Sequence, residues 1–138
     1  MVARIVRLGT PRSSGEGTRI GTVRRPPRGV PKARFASDDW YDVWFPELSP
    51  SAELVKRALA AQADTSAAGD REWAAFTRGY RTEMARPDAA HAIALLAALS
   101  RHGDFSVGCY CENEARCHRS ILRALLAEAG AEIASAPG

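Results

Sequence analysis

Residues 104–130, DFSVGCYCENEARCHRSILRALLAEAG, decide how this chain folds. DFSVGCYC reads as a buried strand, ENEA as a turn, and RCHRSILRALLAEAG as an amphipathic helix stopped by Gly130. AEIAS, residues 131–135, is short enough for one closing strand. Strand, helix and strand in that order are the sequence form of a right-handed βαβ crossover. The expected fold class is therefore α/β: a single three-layer domain over residues 1–134 with a small, mainly parallel sheet flanked by helices. Residues 135–138 are expected to fray, and an α+β sandwich is the alternative architecture.

Moving toward the N-terminus, Pro87 opens PDAAHAIALLAALSRHG, a helix read as largely buried through Ile93, Leu95, Leu96 and Leu99, with Gly103 beyond its end. His91 and His102 lie at its two ends and are read as surface groups. Before it, Trp73, Phe76, Tyr80 and Met84 recur at helical spacing behind Asp70, a candidate cap, and form a core stripe. A further helix is expected from Pro50, with Ser49 as N-cap. Tyr41–Phe45 is a short strand candidate, and ARIVRL and TRIGTVRR are two more. Prolines 26, 27 and 31 make RRPPRGVPKARF an irregular basic loop.

All three cysteines, Cys109, Cys111 and Cys117, fall within nine residues, and His118 and Arg119 follow directly. Alternation along a strand puts Cys109 and Cys111 on one face. Cys117, His118 and Arg119 come at the helix start, where free N–H groups favour an anion or a thiolate. The odd, crowded count is unlike a secreted disulfide framework. A cytoplasmic protein is expected, since no apolar run is long enough to span a membrane and the start lacks a secretory h-region.

Several chemistries fit these residues. In the leading reading Arg119, Arg24, Arg28 and Arg116 hold a phosphate or carboxylate of a small anionic molecule or nucleotide. Cys117 or Cys111 is then a reactive thiol, and His118 a general acid or base. No cofactor is expected; the lesser alternative is zinc or iron on Cys109, Cys111, Cys117 and His118. Its weaknesses are the single residue between the first two cysteines and the roughly 100° divergence of neighbours on a helix. No Cys-x-x-Cys is present, and Arg116 stands one residue short of a phosphatase-type Cys-x5-Arg spacing. In the plainest account Cys109 is simply packed core and Arg119 pairs with an acid such as Glu112.

Charge adds a second theme. Residues 1–34 hold nine basic residues against Glu16, a balance of +8, whereas the rest of the chain is −5. Such asymmetry fits an anionic partner, so nucleic-acid binding without catalysis is the reading from a different class. Asp38, Asp39 and Asp42 beside the aromatics of DDWYDVWF oppose it.

TRIGTVRRPPRGVPK, DDWYDVWFPELSPSAELV, the W-x2-F-x3-Y-x2-EM helix and CYCENEARCHRSIL together resemble domain of unknown function 488 (DUF488), in its small single-domain branch. The resemblance implies an α/β fold and an intracellular protein, with no established reaction. Small relatives typically carry Asp-Arg-Leu-Trp-Pro-Arg-Gly where this chain has Val23 to Gly29. The two arginines and the glycine are retained, while the acid and the tryptophan are lost. Cys117, His118 and Arg119 match the family's Cys-His-Arg element.

Overall fold

The structure, a computed structural model, describes residues 1–135. Three strands, β1 (Ala3–Arg7), β2 (Thr18–Gly21) and β3 (Val43–Trp44), precede three of four helices, and the fourth strand, β4 (Phe105–Cys109), lies between the third helix and the last. These helices are α1 (Ala52–Ala63), α2 (Ala67–Met84), α3 (Pro87–Leu99) and α4 (His118–Glu128). The sheet order is β1-β4-β2-β3 and every pairing is parallel. β4 is central, and Ile5 and Ile20 both stand in register with Val107. All five β4 residues are buried, as a strand with neighbours on both edges requires.

Strand alternation assigns the two faces. Ala3, Ile5, Ile20, Phe105 and Val107 share one core cluster with Leu54, Phe76, Ile93, Leu122 and other residues from all four helices. The α2 stripe is core as expected, with Trp73 at its margin and Tyr80 donating to the Leu48 carbonyl at 2.7 Å. The layer over the opposite face contains no α-helix: residues 9–17 and 31–42 cover it as loop plus the 3-10 turn Lys32–Arg34.

A buried ion pair fastens that loop layer. Arg19 is fully buried on β2, and its guanidinium donates to Glu16 Oε1 and Oε2 at 3.0 and 2.8 Å. It also donates to the carbonyls of Thr10 and Asp39 at 2.8 and 2.7 Å. Ser106 on β4 donates to Glu16 Oε2 at 2.9 Å, so the ion pair as a unit joins two strands to both covering loops. Gly17 allows the close turn between them: its φ is +76°, and a side chain there would strike the Asp104 carbonyl.

Several local expectations change. The second strand stops at Gly21 instead of continuing through the arginines, and β3 is only two residues long. Ser49 does not cap a helix; its hydroxyl closes the Pro46–Leu48 turn onto the Pro46 carbonyl at 2.6 Å, and α1 begins after Ser51. Ser66, accepting from the Ala68 N–H, caps α2, which leaves Asp70 in the first turn. Leu95 and Leu99 are 60% and 47% exposed, so α3 buries only its Ala89–Ile93–Leu96 side. The closing strand reduces to one parallel bridge, Ile133 to Ala3, on the far side of β1. Of the end expected to fray, residues 136–138 lie outside the described residues. No helix among the described residues is long and apolar enough to cross a membrane.

Burial alone would raise the Glu16 pKa, but the hydrogen bonds from Arg19 and Ser106 prevail and hold it below its ordinary value of 4.5. A depressed native pKa stabilises the fold above pH 4.5 and less as the pH falls through the native value. Glu16→Ala, which strands Arg19 in the core, is expected to lose about 3–5 kcal/mol by urea denaturation at pH 7. In Glu16→Gln the part of the acid-side stability slope due to this carboxyl should vanish.

Candidate functional site

The parallel pairing of β2 with β4 brings the chain's two chemistry-bearing stretches to one crest. Beyond the paired residues Gly21 and Gly108, the Thr22 N–H and Oγ1 both donate to the Gly108 carbonyl, at 3.0 and 2.9 Å. Thr22 also meets the first residue of α4: His118 Nε2 lies 2.9 Å from the Thr22 carbonyl and 3.1 Å from its Oγ1. A carbonyl only accepts, so Nε2 carries the proton and Nδ1 keeps its lone pair. That lone pair faces the thiols, with Cys117 Sγ at 3.8 Å.

Two of the three sulfurs, those of Cys109 and Cys117, lie beside this imidazole, and Cys111 stands against Cys109. Cys109 ends β4, and its sulfur is 3.8 Å from that of Cys111. Cys117 reaches the same place because it precedes α4 as an extended N-cap, at φ −119° and ψ 151°. The Cys109, Cys117 and His118 donor atoms all lie within 4.8 Å of one another, and all three residues are buried. Cys111 is half-buried and receives the Gln62 amide at 3.6 Å.

This proximity separates the thiols electrically. Hydrogen bonds from Cys109 and Cys117, with further help from Gln62, lower the Cys111 pKa despite its partial burial. Cys109, as donor to its neighbours and buried, is raised. For Cys117 the hydrogen bond with Cys109 pulls downward, but that with Cys111 and desolvation prevail, and it too is raised. Desolvation lowers His118 to about 4, so the ring is neutral at physiological pH.

Above the cluster opens a cavity of about 440 Å³. Cys109, Cys111, Cys117 and His118 line it from below, and Val23, Val55, Leu59 and Phe76 contribute apolar walls. Its lining also includes three cations, Arg24, Arg25 and Lys56, and no carboxylate. None of the three cations is in a salt bridge among the described residues, whereas Arg4, Arg7, Arg12, Arg19 and Arg34 each have an acidic partner. About half of the basic excess of the first third is thus internal pairing.

The other sequence candidates serve different ends. Arg116 is spent on Asp70 Oδ1 at 2.6 Å and on the carbonyls of Ala61 and Gly69 at 3.2 and 3.0 Å, bracing α1 and α2. Arg119 is buried and donates to the Cys111 carbonyl at 2.6 Å, while its Nε has no partner. It positions the cysteine loop from behind and does not line the cavity, nor does it pair with Glu112, which lies against Arg7 instead. Arg28 is exposed and is not part of the lining. Thr22, Gln62 and Lys56 were missed by sequence reasoning. One signal was present: Val55 and Leu59 are apolar yet stand beside, not within, the Leu54–Ala58–Ala61 stripe of α1, and a second apolar face invites a second occupant.

An all-parallel α/β domain with a thiol–imidazole pocket at the carboxyl ends of its central strands is the class of protein these features define. Compared with known families, residues 3–130 match the one described as the active DUF488-N3 subclade. The chain belongs to that family, as the resemblance of its loops and its Cys-His-Arg element implied. No curated protein and no solved structure matches it.

Accessibility sets the order of thiol reactivity. In chelator-treated protein one thiol should alkylate quickly at pH 7, and peptide mapping should place it at Cys111. Cys109 and Cys117 should label only in denaturant, and Cys111→Ser should abolish the fast phase.

Proposed function

We propose that this protein binds a small anionic ligand, an apolar body bearing a phosphate or carboxylate, in the cavity above the cysteine–histidine cluster. The observation that carries the reading is the composition of that cavity: three cations with no salt-bridge partner among the described residues, and no carboxylate, beside apolar walls. Arg24 and Arg25 offer planar forks suited to oxygen anions, and Lys56 adds a third charge from α1. Val23, Val55, Leu59 and Phe76 take the apolar portion, whose burial contributes about 25 cal/mol per Å². The place agrees with the general rule for open parallel sheets, whose ligands lie outside the strands' carboxyl ends. Cys111, half-buried in the lining, is the thiol within a ligand's reach.

In this reading the arginine and lysine of the rim do what Arg119, Arg116 and Arg28 were first expected to do. The four side chains of the basic third without acidic partners among the described residues, Arg24, Arg25, Arg28 and Lys32, are too few for a phosphate-tracking stripe, so the small-molecule reading is preferred to nucleic acid.

Anilinonaphthalene sulfonate, an apolar body with one anionic group, tests the proposal by fluorescence titration. It should bind in a salt-sensitive way, about tenfold more weakly to an Arg24→Ala/Arg25→Ala variant. Leu59→Asp should also weaken it. Affinity that neither variant changes would remove the cavity as the binding site.

A further inference from the structure

We propose that Cys109 Sγ, Cys117 Sγ and His118 Nδ1 form a three-ligand site for a borderline-soft divalent metal of the zinc type, its fourth position turned toward the cavity. The site goes beyond anion binding and stands whether or not the cavity takes an anion.

Two spacing arguments weighed against a metal here, and the geometry answers both. Neighbouring residues diverge by about 100° only when both follow the helical spiral. Cys117 does not, since its extended backbone turns its sulfur back to within 3.8 Å of His118 Nδ1. The short gap between Cys109 and Cys111 matters only if both are ligands. The group of donor atoms within 4.8 Å of one another is Cys109, Cys117 and His118, with Cys111 beside it against Cys109.

The separations suit the ion. Tetrahedral zinc, with bonds of about 2.3 Å to sulfur and about 2.0 Å to nitrogen, sets its ligand atoms roughly 3.5–3.8 Å apart. The Cys117–His118 pair already has that spacing, at 3.8 Å, and a group spread over at most 4.8 Å needs a contraction of about 1 Å.

The imidazole supplies an independent observation. A metal-bound histidine characteristically donates its other N–H to a carbonyl or carboxylate, which fixes the tautomer and the ring plane. His118 does so through Nε2 to the Thr22 carbonyl at 2.9 Å, and Tyr80 packs against the ring with centroids 5.5 Å apart. The opposite nitrogen is left with a lone pair in a fully buried setting, and its recorded polar neighbour is a sulfur. A thiol proton is only a weak donor to that nitrogen, whereas a metal ion would satisfy it fully.

Charge closes the argument. Binding releases one proton from each of the two thiols to solvent, so two thiolates and a divalent ion make a neutral centre. Such a centre suits a buried position better than isolated thiolates do. Three protein ligands leave one coordination position, and all three line the cavity, so that position opens where a ligand would lie.

The test uses the full chain. Protein purified under reducing conditions is expected to carry close to one zinc per chain by elemental analysis. Chelator-stripped protein titrated with cobalt(II) alone should develop a thiolate-to-cobalt charge-transfer band and tetrahedral ligand-field bands that saturate at one equivalent. Cys111→Ser should keep these bands; Cys109→Ser and His118→Ala should lose them. Because those two variants alter buried positions and can fail to fold, X-ray absorption on zinc-loaded wild type provides the second readout, with two sulfur ligands expected. Absence of the bands, their loss in Cys111→Ser, or a shell with none or three sulfurs would overturn the proposal. Sulfonate-dye titration of the stripped protein is scored separately, so failure of the anion reading and failure of the metal site are distinguishable.

Discussion

The hydrogen bond from His118 Nε2 to the Thr22 carbonyl, 2.9 Å long, holds the site together. It crosses from the first residue of α4 to the end of β2, two segments 96 positions apart in the chain. The loop that leaves β2 is held by side chains through successive carbonyls: Thr22 by His118, Val23 by the Trp44 indole at 2.7 Å, and Arg25 by the Tyr110 hydroxyl at 2.8 Å. Arg24 and Arg25 are therefore presented to the cavity by a backbone with little freedom, which Pro26 and Pro27 restrict further. Each donor comes from a different element, so the rim is a product of the tertiary fold and not of local turn chemistry.

A second constraint works on the other face of the sheet. Arg19 and Glu16 face away from the helices, where an α/β sheet would ordinarily carry another apolar layer. A buried ion pair contributes little net stability against an apolar replacement, because desolvating both charges offsets their attraction. Its consequence here is specificity: the guanidinium satisfies two loop carbonyls, and the carboxylate takes a hydroxyl from β4. Few other arrangements of the 9–17 and 31–42 segments would satisfy every one of those groups.

The fold was largely legible because its signals are local. Pro87 at a helix start and the aromatic stripe of α2 act through nearest-neighbour geometry and stand where their patterns put them, while the DFSVGCYC strand forms but ends at Cys109, leaving Cys111 beyond it. The parallel adjacency of β2 and β4 was a matter of topology, and no residue in either strand announces the other. Arg19 shows the limit most plainly. Alternating with Ile20 along its strand, it reads as solvent-facing, and its partner Glu16 lies in a loop rich in glycine and serine. Leu95 and Leu99 err in the opposite sense: apolar side chains predict burial, but a helix on the outside of a bundle has one face with nothing to pack against. At the site, the residue types were visible and their roles were not. Assigning Cys117 to the helix rather than its N-cap was enough to point its sulfur the wrong way, since one backbone torsion pair decides which neighbours it has.

The charge pattern of the cavity connects its two halves. Cys109 and Cys117 are held as neutral thiols by their raised pKa values, so the floor beneath Arg24, Arg25 and Lys56 gains no charge from them. In the proposed metal site a divalent ion balances the two thiolates that its binding creates, and the cations of the rim stay uncompensated by them. Arg119, buried behind the cysteine loop without a carboxylate, adds a fixed positive charge on the same side. The proposed metal site therefore leaves in place the field that the proposed anionic ligand needs, although the two would contact different residues. The cysteine-rich floor and the arginine rim make electrostatic sense as one site when the sulfur charge is neutralised from within.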